Sequence, residues 1–264
     1  MTSYHEPSVP RLTTERPPIE LFGVRVDPAL LTDVLSFVTE CIVSGSRTTL
    51  LYVNVHCLNL ARGDSRYREI LNRAQVVYCD GTGVRLAAWV TGQKLPERMT
   101  GADWIWDLAS LCVVHDYSLY LLGGEEGLAD AAAAALLQRH PRLRIAGCGT
   151  GYGLDPGVPR DINAVRPDIV LVGLGSPRQE RWIKAHRDRI DAPVVWAVGA
   201  LFGFVSGRIP RGPRWMTEHG FEWLCRLWVE PRKLWRRYLI GNPQFFWSVF
   251  RERQRNKTGP EERC

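Results

Sequence analysis

The sequence predicts a doubly wound α/β fold, a mostly parallel sheet flanked by helices, followed by a helical appendage that is basic and aromatic. Three observations carry this. Short runs rich in Val, Ile and Leu, such as "QVVYC" and "PDIVLVGLG", are apolar throughout, as strands buried on both faces must be. Helix-patterned segments alternate with these runs over the first 206 residues. After that the composition shifts. From Gly207 onward 13 Arg and Lys face 6 Glu, a net +7 against +6 for the whole chain, and five of the ten tryptophans lie there.

The elements follow in order. Residues 1–19 are polar and proline-rich, lack the apolar core of a signal peptide, and read as a disordered lead-in. An α/β body is expected over residues 20–206. "ELFGVRV" reads as one strand, residues 28–44 as a helix and "TTLLYVNV" as the next strand. A single helix is expected over 57–73, then the strand "QVVYC", then helices near 83–91 and 102–113. "YSLYLLGG", "LRIAGC", "PDIVLVGLG" and "PVVWAVG" read as strands, with "LADAAAAALLQRH" and "PRQERWIKAHRD" as helices among them. Residues 207–253 form the expected appendage and 254–264 a flexible tail.

Composition also excludes. Seven scattered cysteines with no C-x-x-C pair suit a reducing compartment and not a disulfide framework. No zinc-ligand spacing with His is visible, and no cofactor is expected. The longest uncharged apolar run, residues 192–205, is too short to cross a bilayer. A cytoplasmic protein that can still lie on a membrane fits these features.

Ligands of open α/β sheets bind beyond the carboxyl ends of the strands. Asn54, Asp80, the Gly123-Gly124 pair and Gln179 all fall at such ends. Asp80 stands alone at the tip of an apolar strand, which places it at a cleft rim, since a buried charge is costly. An Asp before a helix also serves as an N-cap. Glycine turns let phosphate approach backbone N–H groups at helix N-termini. His56 reads as a packing or hydrogen-bonding residue.

Together the stretches "CDGTGV", "PERMTGADW", "LLGG", "PDIVLVGLGSPRQERWI", "VGALFGFVSGRIPRGPRWM" and "GFEWLCRLWVEPRKLWRRYL" resemble the WecG/TagA/CpsF glycosyltransferases, over about residues 20–247. The resemblance implies an inverting, metal-free sugar transferase. Its donor would be a UDP-sugar, typically UDP-N-acetylmannosamine. Its acceptor would be a sugar on undecaprenyl diphosphate at the inner face of the membrane, in cell-surface polysaccharide synthesis. Transfer of glucose, galactose or a uronic acid is the alternative.

Carried over by position, Asp80 resembles the family's general base, and Asn54, Arg98 and Gln179 match its substrate-binding residues. Tyr52 stands where the family has Thr, a departure at the sugar pocket. Asn54-Val55-His56 departs from the family's Asn-Pro-Glu. The chemistry fits these residue types. A carboxylate can take the proton of an acceptor hydroxyl, and arginines can stabilise the leaving diphosphate without a cation.

The family's tail is understood to dock on an anionic membrane surface and fold over the site. Arg232, Arg236 and Arg237, together with Arg226, are then candidates to reach the diphosphate. Phe221, Leu224, Leu227 and Trp228 recur at helical spacing, with Trp235, Tyr238 and Leu239 expected on one face. Two other classes compete. A dinucleotide-dependent dehydrogenase needs a G-x-G-x-x-G that the chain lacks. A nucleic-acid-binding protein would use the basic tail but leaves Asp80 unexplained, so no nucleic-acid partner is expected. The sequence leaves homo-oligomerisation open.

Overall fold

The structure is a computed structural model and describes residues 11–96, 98–151, 156–218 and 220–257. Six parallel strands form the central sheet in the order β4-β3-β8-β7-β5-β6. They are β3 (Thr48–Val53), β4 (Val76–Cys79), β5 (Ser118–Gly123), β6 (Arg144–Gly149), β7 (Ile169–Gly173) and β8 (Val194–Ala197). The apolar runs read as strands are these strands. β4, β5 and β8 are buried along their whole length and β3 at all but Thr49, which is why they carry no polar alternation.

Helices cover both faces. Helices α1 (Leu31–Ser44) and α5 (Gly101–His115) adjoin on one side, where α5 also meets α9 (Leu201–Val205) and α9 meets α6 (Leu128–Arg139). Helices α2 (Val55–Gly63), α3 (Ser65–Arg73) and α8 (Arg178–His186) adjoin on the other. From β5 the chain leaves through α6 toward β6, and from β7 it leaves through α8 in the opposite sense toward β8. The crossover direction therefore reverses between β5 and β7, and a crevice opens at their carboxyl ends. Helix α4 (Thr82–Val90) follows β4, and α7 (Val158–Val165) precedes β7.

Several expectations are corrected. "ELFGVRV" is a separate hairpin, β1 (Ile19–Leu21) and β2 (Val24–Val26), because Phe22 and Gly23 both take positive φ and reverse the chain. The helix expected over 57–73 is two helices. Asp64 ends α2 and caps α3 by accepting the Tyr67 N–H at 3.0 Å. The appendage helix runs past 253 to Lys257, so only 258–264 of the expected flexible tail stays outside the described residues. Residues 1–10 of the lead-in also lie outside them. Residues 11–18 have no regular structure, yet Leu12 packs on the core.

The appendage comprises α10 (Arg214–Glu218), α11 (Glu222–Val229), α12 (Pro231–Trp235), a π-helical segment (Arg236–Ile240) and α13 (Gly241–Lys257). It shares the core with the body. Phe245 and Val249 are fully buried, α13 packs on α2 and α4, and Asn59 Nδ2 donates to Gly241 O at 2.8 Å. Tyr238 points inward against Trp223, while Trp235 and Leu239 are exposed, so the three do not share one face. Among the described residues no helix is long and apolar enough to cross a membrane.

Candidate active site at the carboxyl edge of the sheet

Asp80 follows β4 directly, and its N–H donates to Val53 O at 2.8 Å, which extends the β3–β4 ladder to the strand tip. The cap position of α4 is Gly81, so Asp80 is not the N-cap of that helix. Its surroundings are aromatic. Trp104 stacks on Trp196 at 4.2 Å, Trp196 Nε1 donates to the Tyr78 hydroxyl at 3.1 Å, and Tyr78 meets Tyr52 at 6.3 Å between centroids. This row of rings packs rigidly under the strand ends. Burial, with the Asp80 carboxylate next in effect, pushes the Tyr78 phenol well up.

Arg98 is brought to the same strand end. The next residue, Met99, donates its N–H to Cys79 O at 3.1 Å, so the segment hangs one residue from Asp80. Asn54 caps α2, its Oδ1 accepting the Cys57 N–H at 3.1 Å. That leaves its amide nitrogen for other work. Tyr52 is buried with its hydroxyl against the turn at Gly199, and burial raises its pKa, with Cys57, Glu180 and Asp80 adding to the rise.

Gln179 takes a different place from the one its motif suggests. It is fully buried, with Oε1 accepting the Gly199 N–H at 2.9 Å and Nε2 donating to Glu180 Oε1 at 2.9 Å. It braces the β8 turn from below. Glu180, also fully buried, accepts from Ser176 Oγ at 2.7 Å, while its Oε2 lacks a hydrogen bond. Burial drives the Glu180 carboxyl pKa up, against the lowering effect of Ser176 and Gln179. The acid of this "RQE" stretch is invisible as a buried group in the sequence, since Glu is mostly exposed.

Gly123 and Gly124 lie across the sheet from Asp80, four strands away, or about 19 Å at about 4.8 Å per strand. A single group does not reach both ends, whereas a ligand of several linked groups does. Gly123 has φ +141°, and a Cβ there would come 2.5 Å from the Gly173 backbone, so the crevice between β5 and β7 is open only to glycine. The turn ends at Gly127, which begins α6 without a side-chain cap. Arg208, not singled out in the sequence, reaches to 3.8 Å of a Cβ placed on Gly127. It sits in the loop where the appendage begins, and the "SGR" turn was its only signal.

The tail arginines divide. Arg237 lies near His56, just past the end of β3. Burial lowers the His56 pKa to about 4, and the Arg237 charge contributes. Arg226 lies over the Phe204 ring at 5.5 Å and near Glu230 at 3.8 Å. Arg232 and Arg236 are exposed on the outside, Arg236 over Trp235. Of the four arginines expected at the diphosphate, Arg237 lies near the β3 end and Arg226 beside α9, while Arg232 and Arg236 face outward. The appendage also touches helix α4. Gly220 lies against Thr82, the second residue after Asp80.

A carboxylate at one strand end with the Arg98 segment and Arg237 near it, and a glycine crevice further along the same sheet edge, suit transfer of a group from a phosphorylated donor to a hydroxyl. Comparison with known proteins agrees. A relative from Staphylococcus aureus strain NCTC 8325, named N-acetylglucosaminyldiphosphoundecaprenol N-acetyl-beta-D-mannosaminyltransferase, is 26% identical over 242 residues, 90% of this chain and 94% of that protein. The protein of the same name from strain MW2 matches equally. The profile of the Glycosyl transferase WecG/TagA/CpsF family matches residues 19–259, and the chain therefore belongs to this family of glycosyltransferases.

Proposed function

We propose that the enzyme transfers N-acetylmannosamine or a related hexose, with inversion, from a UDP-sugar to a sugar carried on undecaprenyl diphosphate. The observation that supports this most is Asp80 at the β4 tip, with the Arg98 segment hung on Cys79 O and the appendage lying against Thr82. Asp80 takes the proton of the acceptor hydroxyl as that oxygen attacks the anomeric carbon. The bond to UDP breaks, and the diphosphate leaves with the bonding electrons. The diphosphate is bonded to the anomeric carbon and so lies beside Asp80, where Arg98 and Arg237 supply charge, while the crevice at Gly123-Gly124, with Arg208 beside it, takes the far, nucleoside end of the donor. Asn54 orients sugar hydroxyls, while Gln179 acts indirectly by holding Gly199.

The relatives' printed name supports the N-acetylmannosaminyl donor and the lipid-linked acceptor. Tyr52, in place of the smaller family residue, favours a donor with an altered sugar, so glucose, galactose and uronic acid donors belong in the same test. Exposed Trp228, Trp247 and Leu239 with Arg232 and Arg236 support docking on an anionic membrane at its cytoplasmic face. The deciding experiment measures UDP release from a panel of UDP-sugars with a prenyl-diphosphate-linked N-acetylglucosamine. UDP-N-acetylmannosamine is expected to give acceptor-dependent release. Release from none of the donors would refute the proposal.

A further inference from the structure

The groove along α4 has no part in the reaction as described so far. It is an open depression of about 420 Å³ whose lining includes Arg16, Thr82, Arg85, Leu86, Trp89 and Lys94. Trp89 is 69% exposed and Leu86 47%, three residues apart on one helix, so two large apolar side chains neighbour one another in solvent. Three cations flank them, and the described residues of the lining include no carboxylate. Arg85 Nε is buried without a hydrogen-bond partner among the described residues.

We propose that this groove binds the diphosphate and first isoprene units of the lipid acceptor. The inference rests on the transferase reading above and extends it to the acceptor's non-sugar part. Charge complementarity selects the occupant. Cations beside exposed apolar surface match a prenyl diphosphate better than a free nucleotide or a neutral lipid. The order along the helix matches as well. Thr82 lies two residues from the base, Arg85 one turn further, and Trp89 about 10 Å beyond Thr82 at about 1.5 Å per residue. An acceptor with its sugar hydroxyl at Asp80 presents diphosphate next and prenyl chain last, in the same sequence. Helix α13, which packs on α4, carries Trp247 and Phe250 exposed and continues the apolar route toward a bilayer.

The test uses the full chain and farnesyl diphosphate as probe, with inorganic pyrophosphate and phosphatidylglycerol vesicles as comparison ligands and UDP binding measured in parallel. Tryptophan fluorescence should show saturable binding of farnesyl diphosphate, tighter than pyrophosphate. W89A and K94E, both at exposed positions, should each weaken it about tenfold, with UDP affinity retained. Failure of the wild type to bind farnesyl diphosphate while it binds UDP overturns this inference and leaves the transferase reading standing. Failure to bind UDP strikes the transferase reading itself. Variants that lose vesicle binding but keep farnesyl diphosphate affinity would assign the groove to bilayer headgroups and overturn the proposal.

Discussion

Gly220 of the appendage rests on Thr82 of the body, and a Cβ at Gly220 would come 2.5 Å from the Thr82 hydroxyl oxygen. Gly220 also has φ +83°, a conformation that costs other residues about 1–2 kcal/mol. The contact ties the tail turn to the helix that starts beside Asp80. G220A is expected to lower stability by about 1–2 kcal/mol and to cut turnover, because the tail turn must lift from the site. Adding T82A should restore only part of the loss, since backbone strain stays. Unaltered melting and turnover in G220A would show that the contact has no role in closing the site.

Gln179 and Glu180 predict a pH signature. Burial raises the Glu180 carboxyl pKa, so the folded state favours its neutral form. That contribution is fully present below the unfolded value of 4.5 and fades as pH rises toward the folded value. E180Q should therefore flatten the fall of stability above pH 4.5 in denaturant titrations. Q179A leaves the Gly199 N–H without its acceptor and should cost about 1–3 kcal/mol. A Q179A protein as stable as the wild type would remove the bracing role.

His56 has the opposite sign. Its folded pKa of about 4 lies below the ordinary 6.5, so the unfolded chain binds the proton first. Stability from this group is lost as pH falls from 6.5 toward 4. Imidazole NMR should report a titration near 4, moved upward by R237A, because burial is the larger cause and the Arg237 charge the second. A His56 that titrates near 6.5, or that ignores R237A, would place Arg237 away from the β3 end.

Truncation after Ser206 separates two views of the tail. Charge counting alone treats the last residues as a detachable anchor. Phe245 and Val249, however, are buried in the body's core, and Phe245 meets Phe22 at 5.6 Å. Removal uncovers α2 and α4 and forfeits about 1.5–3 kcal/mol for each large side chain. The truncated chain is expected to melt well below the full chain and to lose activity. Equal melting temperatures would restore the detachable view.

The strands were legible because burial on both faces forces apolar runs, and Asp80 was legible because one acid at the end of "VVYC" breaks such a run. The place of Gly123-Gly124 at the end of β5 was legible for the same reason. The hairpin was not, since Phe22 adopts positive φ, which no side-chain pattern announces. Asp64 did announce itself after Gly63, but the apolar period continues through it and hides the break. Gln179 looked like a ligand residue because amides suit sugars, and only the fold shows both its ends committed inward. Arg208 and Arg237 could not be sorted from the other tail arginines by sequence, because their proximity to Gly127 and His56 depends on how the appendage folds back.

The central claim is that Asp80 is the base. D80N keeps the shape of the side chain and removes its capacity to accept the proton. Turnover of UDP-sugar with the prenyl-diphosphate-linked acceptor should fall roughly 10²–10⁴-fold, with UDP affinity and melting temperature unchanged. Near-normal turnover by a folded, UDP-binding D80N enzyme would contradict the account.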